Sequence, residues 1–390
     1  MIKPRIVIAG GGVVGSLAAL SLAQTGQYTI SVIEAMANPD QPEHPSFDDR
    51  MVALSSSSCD WLLQQGVALA ELFTAPIQNI HVSDKGHIGQ TRLSSQNKKP
   101  LGRVVSLRQL GHYLVAACQA QSDIDYLQDT RITHIERHEK HVSINTNQHE
   151  LDAALLIIAE GANSSTRELC GIATNDQDYA QVALIANVQS QLKHQSCAFE
   201  RFTDSGPFAL LPMIVDPKND EGRHLSLVYC VSKANAPNFM QLSDSDFLAR
   251  IQSIFGDRLG RFEALSSRSH YPLMLKHTTE HFVHRSLCIG NAAQSLHPIA
   301  GQGLNLAIRD IAALHHTLCS QDPGTFESIQ AYTDARAQDR STVISATDTL
   351  VRLFSNQDPL LTRARNLGLV ALNKCAWAKH YFARSAMGYR

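Results

Sequence analysis

The chain has 390 residues, of which 44% are apolar and 18% charged, a composition typical of a globular protein whose length suits about two domains. Its 34 Lys and Arg against 36 Asp and Glu give a formal charge of -2, so there is no overall positive field to hold nucleic acid. These numbers exclude disordered and fibrous proteins, and they predict no nucleic-acid partner.

The eight cysteines are scattered singly, without a CxxC pair. Such spacing suits reduced thiols in a cytosol better than bridges or metal sites. We therefore expect a cytoplasmic protein with no structural disulfide and no metal site.

The N-terminal region allows two interpretations. Lys3 and Arg5 precede an uncharged stretch over 6–33, which a signal peptide or a membrane span would also show. Glycines early in this stretch and a polar break at 24–27 instead favour a β-α-β unit, which requires a parallel sheet. The predicted elements are a strand over 5–9, a helix over 13–24 and a strand over 28–34.

The glycines of this unit follow the fingerprint of a dinucleotide-binding half-fold. Gly10 would make the tight turn, Gly12 would let the backbone approach a pyrophosphate, and Gly15 would let the helix pack against the strand. Glu34 ends the second strand, where a carboxylate accepts ribose hydroxyls and repels a 2′-phosphate. The unit therefore predicts NAD or FAD rather than NADP.

Two later segments share this loop-after-strand character. A strand over 286–289 leads into a glycine-dense loop over 290–305 and then a helix to about 318. The loop is a second anion site, because the first N–H groups of a helix point outward without partners. A central strand over 155–159 runs into 160–167. Two anion sites far apart in the chain suit one long cofactor held at both ends.

Together with 47–54, these segments resemble the flavoprotein aromatic hydroxylases of the para-hydroxybenzoate hydroxylase fold. The similarity runs from Ile6 to about Arg365, and it is most specific to the ubiquinone-biosynthesis branch, closest to the 2-polyprenyl-6-methoxyphenol hydroxylases. Three stretches carry this closer match, and the third has Asn and Gln where most relatives have Asp and His. They are His44-Pro45-Ser46-Phe47-Asp48-Asp49-Arg50, Phe199-Glu200-Arg201-Phe202-Thr203 and Gly290-Asn291-Ala292-Ala293-Gln294.

The resemblance implies an α/β fold. A Rossmann-like FAD-binding domain would be interrupted by a substrate domain built on a mixed or antiparallel β-sheet, and helices would follow at the C-terminus. The implied FAD-binding domain is discontinuous and comprises 1–75, 100–180 and 276–345. The substrate domain would comprise 76–99 and 181–275, and a helical basic tail would comprise 346–390.

The resemblance also implies FAD and assigns residues to its parts. Arg50 and Arg108 would contact the flavin side and the pyrophosphate. In the central segment Gly161 keeps the family pattern, whereas Glu160 stands where the family has Asp. The residues implied for the adenosine half are Gly10, Gly12, Gly15 and Glu34.

The third segment is implied to hold the flavin itself. Asn291 replaces the usual carboxylate at the ribityl hydroxyls, where an amide can still donate and accept. The implied catalytic residues are His297, Pro298 and Gly303, although His297 could equally cap local structure. The residues that would line the flavin ring, largely through backbone N–H groups, are Pro298, Gly301, Gly303, Leu304 and Asn305.

The implied activity is that of an FAD-dependent monooxygenase that hydroxylates a polyprenylated methoxyphenol through a flavin C4a-hydroperoxide. This activity requires O2 and an electron donor. No second dinucleotide fingerprint is visible, which fits NAD(P)H that binds only transiently or another electron donor. One alternative is a sister hydroxylase acting at another ring carbon. Others are a non-catalytic flavoprotein scaffold of the biosynthetic complex and an NAD-dependent dehydrogenase.

Residues 181–271 alternate in the manner of paired strands, over 183–188, 198–202, 208–212 and 225–230. One face of that sheet would cover the flavin and line a substrate pocket. The alternative is plain core for the apolar candidates and a solvated surface for Arg201. The pocket candidates are Phe199, Arg201, Phe208, Leu210, Tyr229 and Tyr271.

The C-terminal tail is basic. From 349 to 390 it holds seven Lys or Arg and one acid, a charge of +6, and leucines alternate with the bases at helical spacing. A packing or homo-oligomerisation helix is one interpretation. The other is a helix lying on the inner face of the cytoplasmic membrane, where a polyprenyl phenol resides. In either case the helix could also contact other ubiquinone-biosynthesis proteins.

Overall fold

A computed structural model describes residues 3–36, 50–95, 99–318 and 322–354. Within the tail it further describes 366, 368, 370–371, 373–375, 377, 379, 383–384 and 387–389. Positions 44–49 of the first closely matching stretch therefore lie outside the described residues.

The described residues form 21 strands, eight α-helices and two short 3₁₀ helices. The strands are β1 (Arg5–Ala9), β2 (Thr29–Ile33), β3 (Met51–Ser55), β4 (Ala75–Ile77), β5 (Asn79–Asp84), β6 (Gln90–Ser94), β7 (Gly102–Ser106), β8 (Ile124–Leu127), β9 (Ile132–Arg137), β10 (Val142–Thr146), β11 (Glu150–Ala153), β12 (Leu155–Ile158), β13 (Thr174–Ser190), β14 (Cys197–Thr203), β15 (Gly206–Pro212), β16 (His224–Ser232), β17 (Phe262–Leu265), β18 (Ser269–Thr278), β19 (Phe282–Val283), β20 (Ser286–Cys288) and β21 (Gln294–Ser295). The α-helices are α1 (Val13–Ala23), α2 (Ser56–Gln64), α3 (Leu107–Gln119), α4 (Ser165–Leu169), α5 (Ala236–Gln241), α6 (Asp244–Phe255), α7 (Gln302–Thr317) and α8 (Phe326–Phe354). The 3₁₀ helices are Gly290–Ala292 and Ile299–Gly301.

A six-stranded sheet forms the centre of the part predicted to bind FAD, in the order β19-β20-β12-β1-β2-β8. All its pairs are parallel except the β19-β20 hairpin. The prediction of a β-α-β unit is confirmed, and with it the expectation of a parallel sheet. The strands are continuous apolar runs because both faces of a parallel sheet are covered.

Each face of this sheet has its own core. Ile6 and Ile8 of β1 point toward the helices α1, α3, α7 and α8 and join one apolar cluster with Leu17 and Ile311. Val7, on the opposite face, packs with residues of the small antiparallel sheet β9-β10-β11. The α/β class with a Rossmann-like centre is therefore confirmed.

The second large sheet has nine strands, in the order β21-β18-β13-β16-β15-β14-β5-β6, with β17 beside β13. Its pairs are antiparallel except β14 with β5, so the expected mixed sheet is present. β13 begins at Thr174, and β21 belongs to the glycine-dense loop over 290–305, which we call the flavin loop after its implied ligand. The sheet therefore extends beyond the predicted 181–275 at both ends. A third sheet, β3-β7-β4, is formed by strands within residues 51–106.

The predicted tail boundary at 346 falls inside α8, which runs unbroken to Phe354. Most of the leucine-rich part of the tail lies outside the described residues, so its amphipathic character stays a prediction.

Among the described helices, none is both long and apolar enough to cross a bilayer. In the described part of the chain no three metal-ligating side chains cluster. The described cysteines are unbridged: Cys59, Cys118, Cys170, Cys197, Cys230, Cys288 and Cys375.

Candidate active site

The turn between β1 and α1 is too tight for side chains. A β-carbon on Gly15 would lie 1.8 Å from the carbonyl oxygen of Gly10, and one on Gly10, whose φ is +100°, would lie 2.8 Å from the backbone nitrogen of Glu160. Gly11, which the fingerprint did not single out, is equally confined, because its β-carbon would lie 2.1 Å from the Tyr126 hydroxyl. The run of three glycines at 10–12 was the available signal. The N-terminus of α1 thus meets the carboxyl end of β12 without an intervening side chain.

Glu34 lies immediately after β2, at the same edge of the sheet. Its carboxylate accepts the backbone N–H of Gly11 at 2.7 Å and that of Met36 at 3.0 Å. The residue is buried, yet it lies at the carboxyl ends of parallel strands, where open α/β sheets bind ligands. The carboxylate is therefore held beside the glycine turn, where the sequence predicts the adenosine ribose.

Glu160 of the central segment is occupied by its own chain. Its carboxylate accepts the hydroxyls of Ser164 at 2.5 Å and Thr166 at 2.7 Å, and the Thr166 N–H at 3.0 Å. The extra methylene relative to Asp lets the side chain fold over the start of α4. Glu160 therefore positions this segment, while Gly161, with φ +90° and nothing within 4 Å of a built β-carbon, presents bare backbone.

The third segment is docked onto the first two. A β-carbon on Gly290 would lie 2.9 Å from the side chain of Val14, so the loop rests directly on α1. Arg167 donates to the carbonyl oxygens of Ala162 and Ala292, at 3.0 and 3.2 Å, and so ties the central segment to the loop. Asn291 is exposed beside this junction. All three segments predicted to bind the cofactor converge at one edge of the parallel sheet.

The start of α7 is also built from backbone. Gly301, with φ +60°, is its N-cap, and the Asn305 side chain is buried below it. That side chain donates to the carbonyls of Ala53 and Gly301, each at 2.8 Å, and accepts the Ser55 N–H at 2.8 Å. Asn305 thus fastens the loop to β3, and any contact with a flavin would come from the neighbouring backbone.

Gly303 lies in the first turn of α7, and a β-carbon there would meet nothing within 4 Å. Pro298 is half-buried and caps the 3₁₀ turn, where its carbonyl accepts the Gly301 N–H at 3.0 Å. Leu304 is also half-buried. The turn therefore presents an open surface bordered by backbone N–H groups.

The caps of the helices provide a test of whether this site fits FAD. Four other described helices have a serine hydroxyl that accepts an N–H of the first turn, whereas α1 and α7 have glycine caps, no side-chain cap and no acid in the first turn. The N–H groups of those two helices are left for an electron-rich ligand. With Glu34 at one end and Asn291 between them, the donors fit a long flavin dinucleotide. The serine caps are Ser55, Ser106, Ser164 and Ser243.

His297 is completely buried, and its imidazole lies edge-on to Tyr179. Its Nδ1 accepts the Ile299 N–H at 3.3 Å, so Nε2 carries the proton and donates to Oε1 of Gln181 at 3.2 Å. Burial lowers the pKa of His297 to about 4, so the ring is neutral at physiological pH. This geometry favours the structural role that the sequence left open. In this arrangement the His297 ring anchors the loop through its hydrogen bonds to Ile299 and Gln181.

Arg50 and Arg108 lie close together, because the Leu107 N–H donates to the Arg50 carbonyl at 3.0 Å. The guanidinium of Arg50 lies 5.4 Å from the ring centroid of Tyr271. Both arginines are half-buried and both make further polar contacts. Arg50 thus bridges β3 and the nine-stranded sheet, whereas Arg108 begins α3 beside it.

Strand alternation corrects the predicted substrate pocket. The nine-stranded sheet has an outer face packed under α5 and α6, and Phe199 and Phe208 pack there with Phe255. Arg201 is also on that face, where its Nε donates to the Ile254 carbonyl at 2.9 Å. The pocket assignment is therefore wrong for these residues, because the aromatic side chains form the core under the helices. The residues reassigned to the outer face are Phe199, Arg201, Phe208, Leu210 and Tyr229.

The opposite, inner face of the sheet is more open. Glu200 pairs with Ala209 and Ala209 with Val228 across β14, β15 and β16, and all three are half-buried. Tyr271 packs on the same face near Val228, under Arg50. Of the predicted pocket residues only Tyr271 lies on this inner face. We define the inner face by Glu200, Ala209, Leu211, Val228 and Tyr271.

A buried ionic network, which sequence reasoning missed, supports the loop from behind. Asp310 of α7 is fully buried and accepts from Nε of Arg336 at 2.8 Å and Nε of Arg340 at 3.2 Å. It also accepts from the amide of Gln294 at 2.8 Å. Gln294 thus links the flavin loop to α7 and α8. The charges at 310, 336 and 340 within a helical pattern were the only signal.

Comparison with known proteins agrees with this geometry. The chain matches the family described as FAD binding domain over residues 3–347. It is 32% identical to the ubiquinone hydroxylase UbiL of Rhodospirillum rubrum, over 98% of this chain and 89% of that protein. It is 28% identical to the 3-demethoxyubiquinol 3-hydroxylase of Escherichia coli, over 98% of each.

The fold is shared with a solved structure of more distant sequence. The p-nitrophenol 4-monooxygenase PnpA from Pseudomonas putida superposes with a TM-score of 0.78 at 16% identity, covering 100% of this chain and 99% of that one. The prediction of a flavoprotein hydroxylase is confirmed by the family match over most of the chain. The chain belongs to the FAD binding domain family, and it is an FAD-dependent monooxygenase.

Proposed function

We propose that this monooxygenase adds one hydroxyl group to the ring of a polyprenylated methoxyphenol during ubiquinone synthesis. The observation that carries the proposal is the half-open inner face of the nine-stranded sheet, opposite the flavin loop. Relatives named ubiquinone hydroxylase and demethoxyubiquinol hydroxylase, similar over nearly the whole chain, support the substrate class.

The residues of the three converging segments would hold FAD along its length. Glu34 would bind the adenosine ribose, the N–H groups opening α1 the pyrophosphate, and Asn291 the ribityl chain. Pro298 and the backbone opening α7 would border the ring. When bound and reduced by NAD(P)H or another two-electron donor, FAD would activate O2 for transfer of one oxygen atom to the substrate.

The protein's own contribution would be to bind, orient and desolvate the reactants. Ala209, Leu211 and Val228 offer an apolar surface for an aromatic ring and the start of its prenyl chain. The backbone N–H groups at the start of α7 are organised before charge develops, so they would stabilise negative charge without reorganisation. Exclusion of water from the space between loop and sheet would limit unproductive loss of activated oxygen.

An assay with a short-chain 2-prenyl-6-methoxyphenol tests the proposal. The purified holoprotein is expected to convert it to a product with one added oxygen, which derives from isotopically labelled O2 while the other oxygen atom becomes water. Mass spectrometry measures the label and NMR the ring position. The unprenylated methoxyphenol is the matched control, and it should be a poorer substrate because it lacks the apolar chain.

Three other outcomes would change the conclusion. Hydroxylation of a different ring carbon would identify a sister enzyme of the same pathway. An FAD-loaded protein that turns over none of the prenylated phenols would favour a scaffold. Oxygen taken from water would contradict a monooxygenase mechanism.

We further propose that the basic tail contacts the membrane surface, which would bring the enzyme to a lipid-soluble substrate. Residues 349–390 carry seven bases and one acid, a charge of +6, and Trp377 is 76% exposed. Anionic lipid attracts such a segment by about 1 kcal/mol per base near the surface. The full chain is therefore expected to sediment with phosphatidylserine vesicles at low salt and to be released at high salt. Equal binding to neutral vesicles, or none to either, would contradict this role.

A further inference from the structure

Glu200 has an unusual position for a carboxylic acid. It lies at the centre of β14, with Ala198 and Phe202 as the next residues on the same face of the strand. Ala198 packs with Met51 of β3. Phe202 packs with Ile299 of the flavin loop. Glu200 therefore lies between the contacts that β14 makes with β3 and with the flavin loop.

The carboxyl of Glu200 is surrounded by apolar groups. Its cross-strand neighbours on the inner face are Val82 of β5 and Ala209 of β15. Among the described residues no side chain or backbone N–H bonds to it and no base pairs with it, although it is only half-buried. A carboxyl placed in this way is available to a ligand on the inner face.

The titratable groups on the surrounding elements do not neutralise it. Cys230 of β16 is on the same face, and burial, followed by the Glu200 charge, raises the pKa of that thiol. Asp84 of β5 is bonded to the Asn366 amide, and His297 of the loop is neutral. Burial alone raises the pKa of the Glu200 carboxyl to about 7. Close to neutral pH this group can therefore both accept and return a proton.

We propose that Glu200 is a catalytic residue that binds the phenol hydroxyl of the substrate and accepts its proton. This inference rests on the proposed function, since it requires a phenol on the inner face. Ala209 and Val228, in register with Glu200 across the sheet, would support the ring while the carboxylate holds the hydroxyl.

The proton transfer activates the ring. The phenol O–H bond breaks, its proton moves to a carboxylate oxygen of Glu200, and the electron pair stays on the phenolate oxygen and delocalises to the ortho and para carbons. One of these carbons forms a bond to an oxygen atom from O2 and loses its hydrogen as a proton. The second oxygen atom leaves as water, with two electrons from NAD(P)H or another two-electron donor, and Glu200 returns its proton.

The test compares Glu200→Gln, Glu200→Asp and wild type as FAD-loaded enzymes with the short-chain prenylated phenol. Wild-type kcat is expected to rise with pH through about 7, because the ionised carboxylate is the base. Glu200→Gln should lower kcat by about 10²-fold and lose this rise, since an amide accepts no proton. Glu200→Asp should retain the rise at a lower rate. Glu263→Gln is the control, because Glu263 pairs with Arg223 on the exposed surface.

Activity with a more acidic phenol distinguishes a role of Glu200 as a catalytic base from a purely structural role. A ring-fluorinated analogue is ionised to a larger fraction than the parent phenol at the same pH, so it should depend less on a base and narrow the difference in kcat between wild type and Glu200→Gln. Stability provides a second measurement. Because burial raises the pKa of the folded carboxyl, ionisation of Glu200 in the unfolded chain lowers the stability of the fold as the pH rises from 4.5 to about 7, and Glu200→Gln should gain Tm over wild type across that range.

The outcomes distinguish this inference from the proposed function. If wild type hydroxylates the phenol and Glu200→Gln keeps both its rate and its pH profile, Glu200 is not the base and the function stands. A difference in kcat that the acidic phenol does not narrow would also overturn the inference. If wild type hydroxylates no phenol, the proposed function fails and the inference with it.

Discussion

Gly303→Val is expected to abolish retention of FAD while leaving the apoprotein folded. A β-carbon at this position meets nothing within 4 Å, so the valine side chain would extend into the open surface where the flavin ring is proposed to lie. Even about 1 Å of displacement from the reactive geometry can cost about 10²-fold in rate. The flavin absorbance of the purified variant, its FAD dissociation constant and its turnover measure the effect.

The stability of the apoprotein is the control for this variant. Valine is a better helix residue than glycine by a few tenths of a kcal/mol, so urea unfolding of the FAD-free variant should match wild type to within about 0.5 kcal/mol. Gly303→Ala provides a graded comparison with a smaller side chain. Normal FAD binding and turnover in Gly303→Val would contradict the proposed position of the flavin.

Asp310→Asn is expected to destabilise the protein by about 3–5 kcal/mol, because it leaves the buried guanidinium groups of Arg336 and Arg340 without their shared carboxylate. The side chain of Asp310 is fully buried and those of the two arginines are 7% and 2% exposed, so water cannot replace the lost charge. Urea unfolding of the holoprotein measures the change in the free energy of unfolding.

Asp123→Asn is the matched control for the network. Asp123 pairs with Lys3 at 3.0 Å, but both side chains are well exposed, so its loss should cost less than about 1 kcal/mol. Equal effects of the two variants would show that the buried network is not a stability determinant. Asp310→Asn, unlike Asp123→Asn, should also weaken FAD binding, because Asp310 holds Gln294 of the flavin loop.

The parts of the cofactor site that could be predicted from the sequence depend on interactions between residues close together in the chain. The β-α-β unit depends on contacts within 5–34, and its glycines are required where the backbone of one turn meets that of another. The third segment was found for the same reason, since a glycine-dense loop before a helix leaves N–H groups unpaired. Such features need no knowledge of distant residues.

His297 shows why the sequence left some assignments open. Its position beside the flavin loop made it a candidate catalytic residue, but its partner is Gln181, 116 residues earlier in the chain. The same holds for Asp310, whose arginines lie 26 and 30 residues later. A polar residue's partners, and hence its exposure, depend on which elements pack together.

The amino-acid sequence by itself determined the Rossmann-like centre, the glycines of its first turn and the presence of a second, mixed sheet, because these follow from local periodicity and backbone sterics. Only the tertiary structure decided which face of the nine-stranded sheet is core. Both faces of β14–β16 carry apolar side chains, and the helices α5 and α6 cover the face with the larger ones. The face left half-open bears smaller residues and one acid, Glu200, which no pattern in the strands distinguishes.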